Sequence, residues 1–246
     1  MEQGLHVGET AQTRGATAIQ VTVGANNNGG SLELCYDDLV CDEVLLRHAP
    51  RLVPKTKRSC DFFIRVFDIV GSLVILILSL PIMLVVAVTI KLFSPGSMLY
   101  KQQRVGKSGK VFTLYKFRTM VENAEKHVGP VWATRDDSRV TPIGRILRGM
   151  RLDELPQLFN VLRGDMSLVG PRPERPFFVE RHKALQGVRL AVKPGITGLA
   201  QVRSYYDLKP EHKLRYDYLY IQRRSLILNI YILLQTIPVI FTKRGW

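Results

Sequence analysis

The sequence predicts an α+β protein, mainly helical, in which a re-entrant membrane helix-hairpin joins a cytosolic domain built from a small antiparallel sheet and amphipathic interfacial helices. Three observations predict it. An uncharged apolar run, Ile69 to Ile90, contains Pro81 and is basic on both flanks. Two β-patterned runs, Met98 to Tyr100 and Lys110 to Tyr115, meet at the turn Gly106-Lys107-Ser108-Gly109. Apolar side chains recur at helical spacing between Pro142 and Leu162, and a second apolar stretch fills Leu226 to Phe241.

The apolar run carries the membrane assignment. Its 22 residues would form a helix about 33 Å long, enough for a hydrocarbon core of about 30 Å. Pro81 removes a backbone donor near its middle, so a bend is expected there. Lys55, Lys57, Arg58 and Arg65 precede it, and Lys91, Lys101, Arg104, Lys107 and Lys110 follow it. A single crossing leaves its positive charge on one side, so a hairpin that enters and leaves by the same face fits better. A plain span stays open, because downstream domains translocate regardless of charge.

Around this run the chain divides into an extension, residues 1–54, and a main unit, residues 55–246. The extension is expected to be disordered or weakly structured, since the stretch up to Leu32 is rich in Gly, Asn, Thr and Ala. Ser31 to His48 could form a short helix or a strand pair. There is no basic segment followed directly by an apolar one at the start, so no signal peptide is read. Within the main unit the hairpin occupies about 62–93, the cytosolic region about 98–222 and a C-terminal interfacial helix about 225–242. Sixteen apolar residues containing Pro238 are short for a span, so that last helix is expected to lie along the headgroups.

Charge narrows the partners. The net charge is +14, yet residues 1–50 hold seven acids against two bases, so the remainder carries +19. Such a surface suits anionic lipids, phosphorylated substrates or nucleic acid, and no nucleic-acid module is recognisable. Cys35, Cys41 and Cys60 are odd in number and lack metal-ligand spacing, which excludes a disulfide framework and a zinc site.

Three segments carry chemistry. Arg145 to Gln157 places Asp153 and Glu154 among Arg145, Arg148 and Arg151. Neighbours on a helix diverge by about 100°, so the two carboxylates would serve different targets, one attacking and one holding a metal. Phosphoryl transfer needs such a nucleophile, a divalent cation and guanidinium groups. An ordinary surface pair neutralised by arginines is the alternative from this segment alone. Lys116 and Arg118 follow a strand pattern and offer phosphate a point charge and a bidentate donor, or simply an exposed edge. In Gly170-Pro171-Arg172-Pro173 two fixed φ angles hold one arginine in a set direction. Lys193 to Val202 reads as a loop whose glycines permit close backbone approach.

Leu152-Asp153-Glu154-Leu155-Pro156-Gln157 with Asn160, then Gly164-Asp165-Met166-Ser167, then Gly170-Pro171-Arg172-Pro173, in this order and spacing, resemble the monotopic phosphoglycosyl transferases, or bacterial sugar transferases. The resemblance runs from about Arg58 to Trp246. It implies an enzyme that moves a sugar 1-phosphate from a UDP-sugar donor to a polyprenyl (undecaprenyl) phosphate acceptor and releases UMP, the first membrane step of exopolysaccharide or glycan assembly. Asp153 matches the family's nucleophile and would carry a covalent phosphosugar. Glu154 would hold Mg²⁺. Lys116 and Arg148 match positions associated with the lipid phosphate, Pro171, Arg172 and Pro173 the segment near the nucleotide, and Arg118, Gln157 and Gln201 complete the expected substrate contacts. The implied location is the bacterial inner (cytoplasmic) membrane, with membrane lipids as partners and the catalytic domain facing the cytoplasm. The oligomeric state is open, a homodimer included. Two departures stand out: Leu80 rather than Ser precedes Pro81, with Ser79 one position early, and Leu199 replaces a common Trp in the Gly198–Gln201 loop. The competing reading is a membrane-anchored basic binding protein without catalysis.

Overall fold

A computed structural model describes five short strands between residues 6 and 34, and residues 58–126, 129–132, 134, 137–203 and 210–241. The chain divides into two compact units, Met1–Leu52 and Val53–Trp246.

In the first unit the strands are β1 (His6–Gly8), β2 (Gln12–Thr13), β3 (Ala16–Thr17), β4 (Ile19–Thr22) and β5 (Ser31–Leu34). β4 pairs antiparallel with both β1 and β5, and β2 pairs with β3. This stretch was expected to be disordered or weakly structured. The β-branched residues Val7, Ile19, Val21 and Thr22 favour extended backbone, and Gly and Asn punctuate them. Of Ser31 to His48 only β5 is a described element, and the rest of that expectation lies outside the described residues.

The second unit is mostly helical. Helix α1 (Arg58–Phe93) has 36 residues, about 54 Å at 1.5 Å per residue, with Pro81 inside it. Its segment from Cys60 to Phe93 is long and apolar enough to cross a membrane. Ser79 donates its hydroxyl to the Leu76 carbonyl at 3.3 Å, tying down the turn ahead of the proline. One stripe of α1, namely Ile64, Asp68, Ser72, Ser79, Met83, Val86 and Ile90, is buried at spacings of three, four and seven. The other faces leave Phe62, Phe63, Ile77, Leu78, Leu84, Val85, Leu92 and Phe93 exposed.

The buried stripe docks at both ends. Near its start, Arg65 donates to the carbonyls of Val161 and Leu162 at 2.6 and 2.8 Å, and Asp68 accepts from Ser167 Oγ and the Leu168 amide at 3.0 and 2.9 Å. Near its finish, Met83, Val86 and Ile90 form a core cluster with Phe117 and Leu147. Each fully buried side chain of that kind contributes about 1.5–3 kcal/mol, so the second half of α1 is held by packing, and the first half by the buried Ile64 together with these polar bonds.

β6 (Leu99–Val105) and β7 (Val111–Phe117) form an antiparallel hairpin from Leu99↔Phe117 to Val105↔Val111. Its first strand ends five residues beyond the expected Met98 to Tyr100 run, at Val105 against Tyr100. α2 (Pro142–Gly149) is capped by Thr141, whose hydroxyl accepts from the Gly144 amide at 2.9 Å. The helical spacing through Leu162 left Pro156 to kink the helix or begin a second one, and it begins a second, α3 (Gln157–Arg163); the unexpected break is Arg151 at φ 58°, a left-handed conformation just past the end of α2. Between them Leu152–Glu154 make one 3₁₀ turn.

β8 (Ser167–Val169) and β9 (Gly195–Thr197) pair in parallel, although the second was expected to be loop. The glycines explain the difference. A Cβ on Gly195 would fall 2.0 Å from the Gly170 amide nitrogen, so only two glycines let these backbones meet. α4 (Pro176–Arg181), α5 (Leu199–Arg203), α6 (Pro210–Arg223) and α7 (Leu226–Phe241) complete the unit. α7 leaves Ile227, Ile230, Tyr231, Leu234 and Ile237 exposed along one side.

Candidate active site

Asp153 and Glu154 stand on the 3₁₀ turn that Arg151 opens, and both are buried. Lys116, near the end of β7, reaches them together: its Nζ is 2.9 Å from Glu154 Oε1 and 3.9 Å from Asp153 Oδ2. Adjacent carboxylates were expected to face different targets; neighbours on a 3₁₀ turn diverge by about 120°, yet the Lys116 ammonium reaching in from β7 meets both, at 2.9 Å and 3.9 Å. Arg172 Nη2 adds a second cation to the same Glu154 oxygen at 2.8 Å, and Arg151 Nη1 lies 3.9 Å from the other.

The two acids therefore differ. Burial pushes the Asp153 carboxyl above the ordinary aspartate range, Lys116 opposes this, and the neighbouring Glu154 charge adds to it. Burial acts upward on Glu154 as well, but Arg172, Lys116 and Arg151 outweigh it and hold that carboxyl well below the usual range. Burial lowers the Lys116 ammonium, against the pull of Glu154. With two charge-assisted bonds at normal length, Glu154 is the ionised anchor of the cluster. Asp153, with its Lys116 cation at the outer limit of an ion pair, is the less neutralised of the two.

The other expected residues separate. Arg148 donates Nε to Thr119 Oγ1 at 2.7 Å, and its charge acts on Asp153. Gln157 follows Glu154 by three residues, and its buried Nε2 has no hydrogen-bond partner among the described residues. A buried donor left so costs about 1–3 kcal/mol, which a bound molecule offering an acceptor would relieve. Gln201 donates to the Ile196 carbonyl at 3.2 Å, and its buried Oε1 likewise lacks a partner among the described residues. Arg118 goes elsewhere: its Nη2 donates to the Ser94 carbonyl just past α1 at 2.7 Å. The strand ends at Phe117, so the period-2 alternation that would put Lys116 and Arg118 on one face stops before Arg118.

Asn160 also shapes the site. Fully buried, it accepts from the Tyr115 amide at 3.1 Å and donates to the Thr113 carbonyl at 2.8 Å, which fixes α3 to the strand that presents Lys116. Thr119, which holds Arg148, has no local sequence signal.

Magnesium fits this donor set in part. Among the described residues no group of three or more His, Cys, Asp or Glu side chains forms a complete cage. Magnesium is commonly held by one or two carboxylates together with substrate phosphates, and Glu154 beside Asp153 supplies that minimum.

A family model for the bacterial sugar transferases matches residues 59–243, which include every site residue named above. The chain belongs to this family. It is 44% identical over 190 residues to the UDP-N-acetylgalactosamine-undecaprenyl-phosphate N-acetylgalactosaminephosphotransferase of Aeromonas hydrophila, covering 75% of this chain and 45% of that protein. It is 44% identical over 185 residues to the UDP-glucose:undecaprenyl-phosphate glucose-1-phosphate transferase of Klebsiella pneumoniae, covering 71% of this chain and 39% of that protein. The exopolysaccharide production protein ExoY of Rhizobium meliloti is 36% identical over 195 residues, covering 74% of this chain and 86% of that protein. The chain thus spans less than half the length of the first two relatives.

Proposed function

We propose that this chain transfers a sugar 1-phosphate from a UDP-sugar to polyprenyl (undecaprenyl) phosphate, with release of UMP, as the first membrane step of exopolysaccharide or glycan assembly. The observation that carries the reading is the division of labour between the two acids: Glu154 is neutralised by Lys116 and Arg172 at 2.9 and 2.8 Å, while Asp153 beside it is held only at 3.9 Å. Relatives named as undecaprenyl-phosphate sugar phosphotransferases support the substrate pair.

In the first step an Asp153 carboxylate oxygen attacks the sugar-bearing phosphorus of the donor. The bond to the bridging oxygen breaks, UMP leaves with that electron pair, and the phosphosugar is esterified to Asp153. In the second step an oxygen of the polyprenyl phosphate attacks the same phosphorus, the aspartyl ester bond breaks, and Asp153 returns to a carboxylate as polyprenyl diphosphosugar departs. Lys116 and Arg172 orient and neutralise the phosphates, and Arg148 stands ready for the acceptor's. Glu154 would hold magnesium, which when bound neutralises phosphate oxygens.

A long prenyl tail leaves the bilayer at about 0.8 kcal/mol per CH₂, so the chemistry belongs at the membrane surface. A re-entrant α1, entering and leaving by the cytoplasmic face of the inner membrane, suits this. In support, residues near both ends of α1, Arg65 and Asp68 at one and Met83, Val86 and Ile90 at the other, contact the same unit. The exposed Ile146 of α2, Met150 just past its end and the apolar side of α7 would rest among lipids.

The test uses the full chain in detergent or nanodiscs with a panel of UDP-sugars (glucose, galactose and their N-acetylated forms), each labelled in the sugar, plus Mg²⁺. Without acceptor, stoichiometric UMP release and label on Asp153 are expected. Product formation with no adduct at Asp153 would refute the covalent route.

A further inference from the structure

Four consecutive main-chain carbonyls of the Pro171–Glu174 segment are each held by a separate donor. Pro171 O accepts from the Gly195 amide at 2.9 Å, Arg172 O from Arg189 Nη2 at 2.6 Å, Pro173 O from Arg104 Nη1 at 2.8 Å, and Glu174 O from the Val105 amide at 2.9 Å. The donors come from β9, the 3₁₀ turn Gly187–Ala191 and β6. Residues 171 and 173 are prolines and have no amide hydrogen, so the carbonyl side is where this segment can be pinned.

Two of the four donors are guanidinium groups, and each is itself fixed. Arg189 Nε donates to Asp217 at 2.6 Å, with both side chains buried. Arg104 Nη2 donates to Gln102 Oε1 at 2.5 Å, and its Nη1 lies 3.7 Å from Glu174, which also takes Lys213 at 3.2 Å. A loop that only had to cover a core would not need two cations, Arg189 buried and Arg104 half-buried, on adjacent carbonyls. What this loop does is deliver the Arg172 side chain to Glu154.

We propose that Arg104 and Arg189 are positioning residues for the donor: by clamping the carbonyls of Pro173 and Arg172 they hold the Arg172 guanidinium where the donor's diphosphate binds. The inference rests on the function proposed above, and neither arginine needs to touch substrate. Displacement of the Arg172 fork by even an ångström weakens a bidentate phosphate contact, so the loss falls on donor binding before it falls on acceptor binding.

The experiment is a double-mutant cycle in the full chain, measuring KM separately for UDP-sugar and for polyprenyl phosphate in Arg104→Met, Arg172→Met and the double variant. Arg104→Met should raise the donor KM about tenfold, as expected for loss of one charge-assisted bond, with the acceptor KM within about twofold. Arg104→Lys, which keeps one charged donor, should recover part of the loss. In the Arg172→Met background the Arg104 substitution should change the donor KM by less than about twofold, because the group it aims is gone. Equal losses in both backgrounds would overturn the proposal, since Arg104 would then act by a route that bypasses Arg172. An unchanged donor KM in Arg172→Met would overturn it too. If Arg104→Met does not fold, Gln102→Leu removes the oxygen that holds Arg104 Nη2 and takes its place in the cycle. A wild-type chain inactive with every UDP-sugar would instead sink the proposed function, and the clamp with it. Additivity in an active wild-type background sinks the clamp alone.

Discussion

Exchanging each acid for its amide should separate Asp153 from Glu154 by stability as well as by activity. Glu154→Gln removes the anion between Lys116 and Arg172, leaving two half-buried cations at 2.9 and 2.8 Å from a neutral amide. Breaking a buried pair from one side costs about 3–5 kcal/mol. Lys116 and Arg172 keep 17% and 23% side-chain exposure, and Asp153 stays near Lys116, so the low end, about 3 kcal/mol, applies. For a domain of this size that is a fall of about 6–12 °C in melting temperature. Asp153→Asn is the opposite case. Burial is the largest influence on its carboxyl and its cation is 3.9 Å away, so the amide relieves desolvation and gives up little attraction. Its melting temperature should match or exceed the wild type's while turnover is lost. Ligand-free thermal unfolding in one detergent near neutral pH decides the matter, paired with UMP release. The pH dependence follows the same signs. Glu154 is depressed in the folded state, so its stabilisation is present above its unfolded pKa and is lost as pH falls through the folded one; the wild-type advantage over Glu154→Gln should shrink in acid. Asp153 is raised, so its ionised form costs stability as pH rises from its unfolded to its folded pKa, and Asp153→Asn should abolish that slope. An Asp153→Asn variant that melts as low as Glu154→Gln would refute the reasoning.

Three further outcomes are expected. The acidic limb of kcat/KM against pH should lie above the ordinary aspartate range, and Lys116→Met should move it higher by removing the cation that opposes burial at Asp153; an unmoved limb means that another group sets it. Chelation by EDTA should stop UMP release and Mg²⁺ should restore it, whereas activity that survives chelation rules out magnesium at Glu154. Single cysteines introduced as Lys57→Cys and Lys107→Cys, in a background without the natural cysteines, should react with an impermeant reagent from the same membrane side; labelling from opposite sides would make α1 a full span.

Much of the site was legible in the sequence because its parts are local. Asp153 and Glu154 are neighbours, Lys116 closes a strand pattern, and the prolines flanking Arg172 advertise a fixed direction. The β6–β7 hairpin followed from its turn residues, and α1 from an apolar run too long for anything but a membrane or a large core. What escaped was whatever depends on contact between distant segments. Arg104, Arg189 and Asp217 sit in no motif, and the bonds that tie Arg104 to Pro173, Arg189 to Arg172 and Arg189 to Asp217 join residues 17 to 69 apart. The left-handed Arg151 is equally silent, since an arginine gives no local warning of a positive φ. Arg118 shows the converse: a local pattern put it beside Lys116, and the end of the strand sent it to Ser94.

By itself the sequence determined which residue types the chain could bring to a phosphate and which segment had to leave water, because both are written in composition and spacing. Only the tertiary structure decided how the two acids differ in charge. The charge of an acid in a buried site is set by the cations within about 4 Å, and those arrive from β7 and from the Pro171–Pro173 turn, which nothing but the fold brings together.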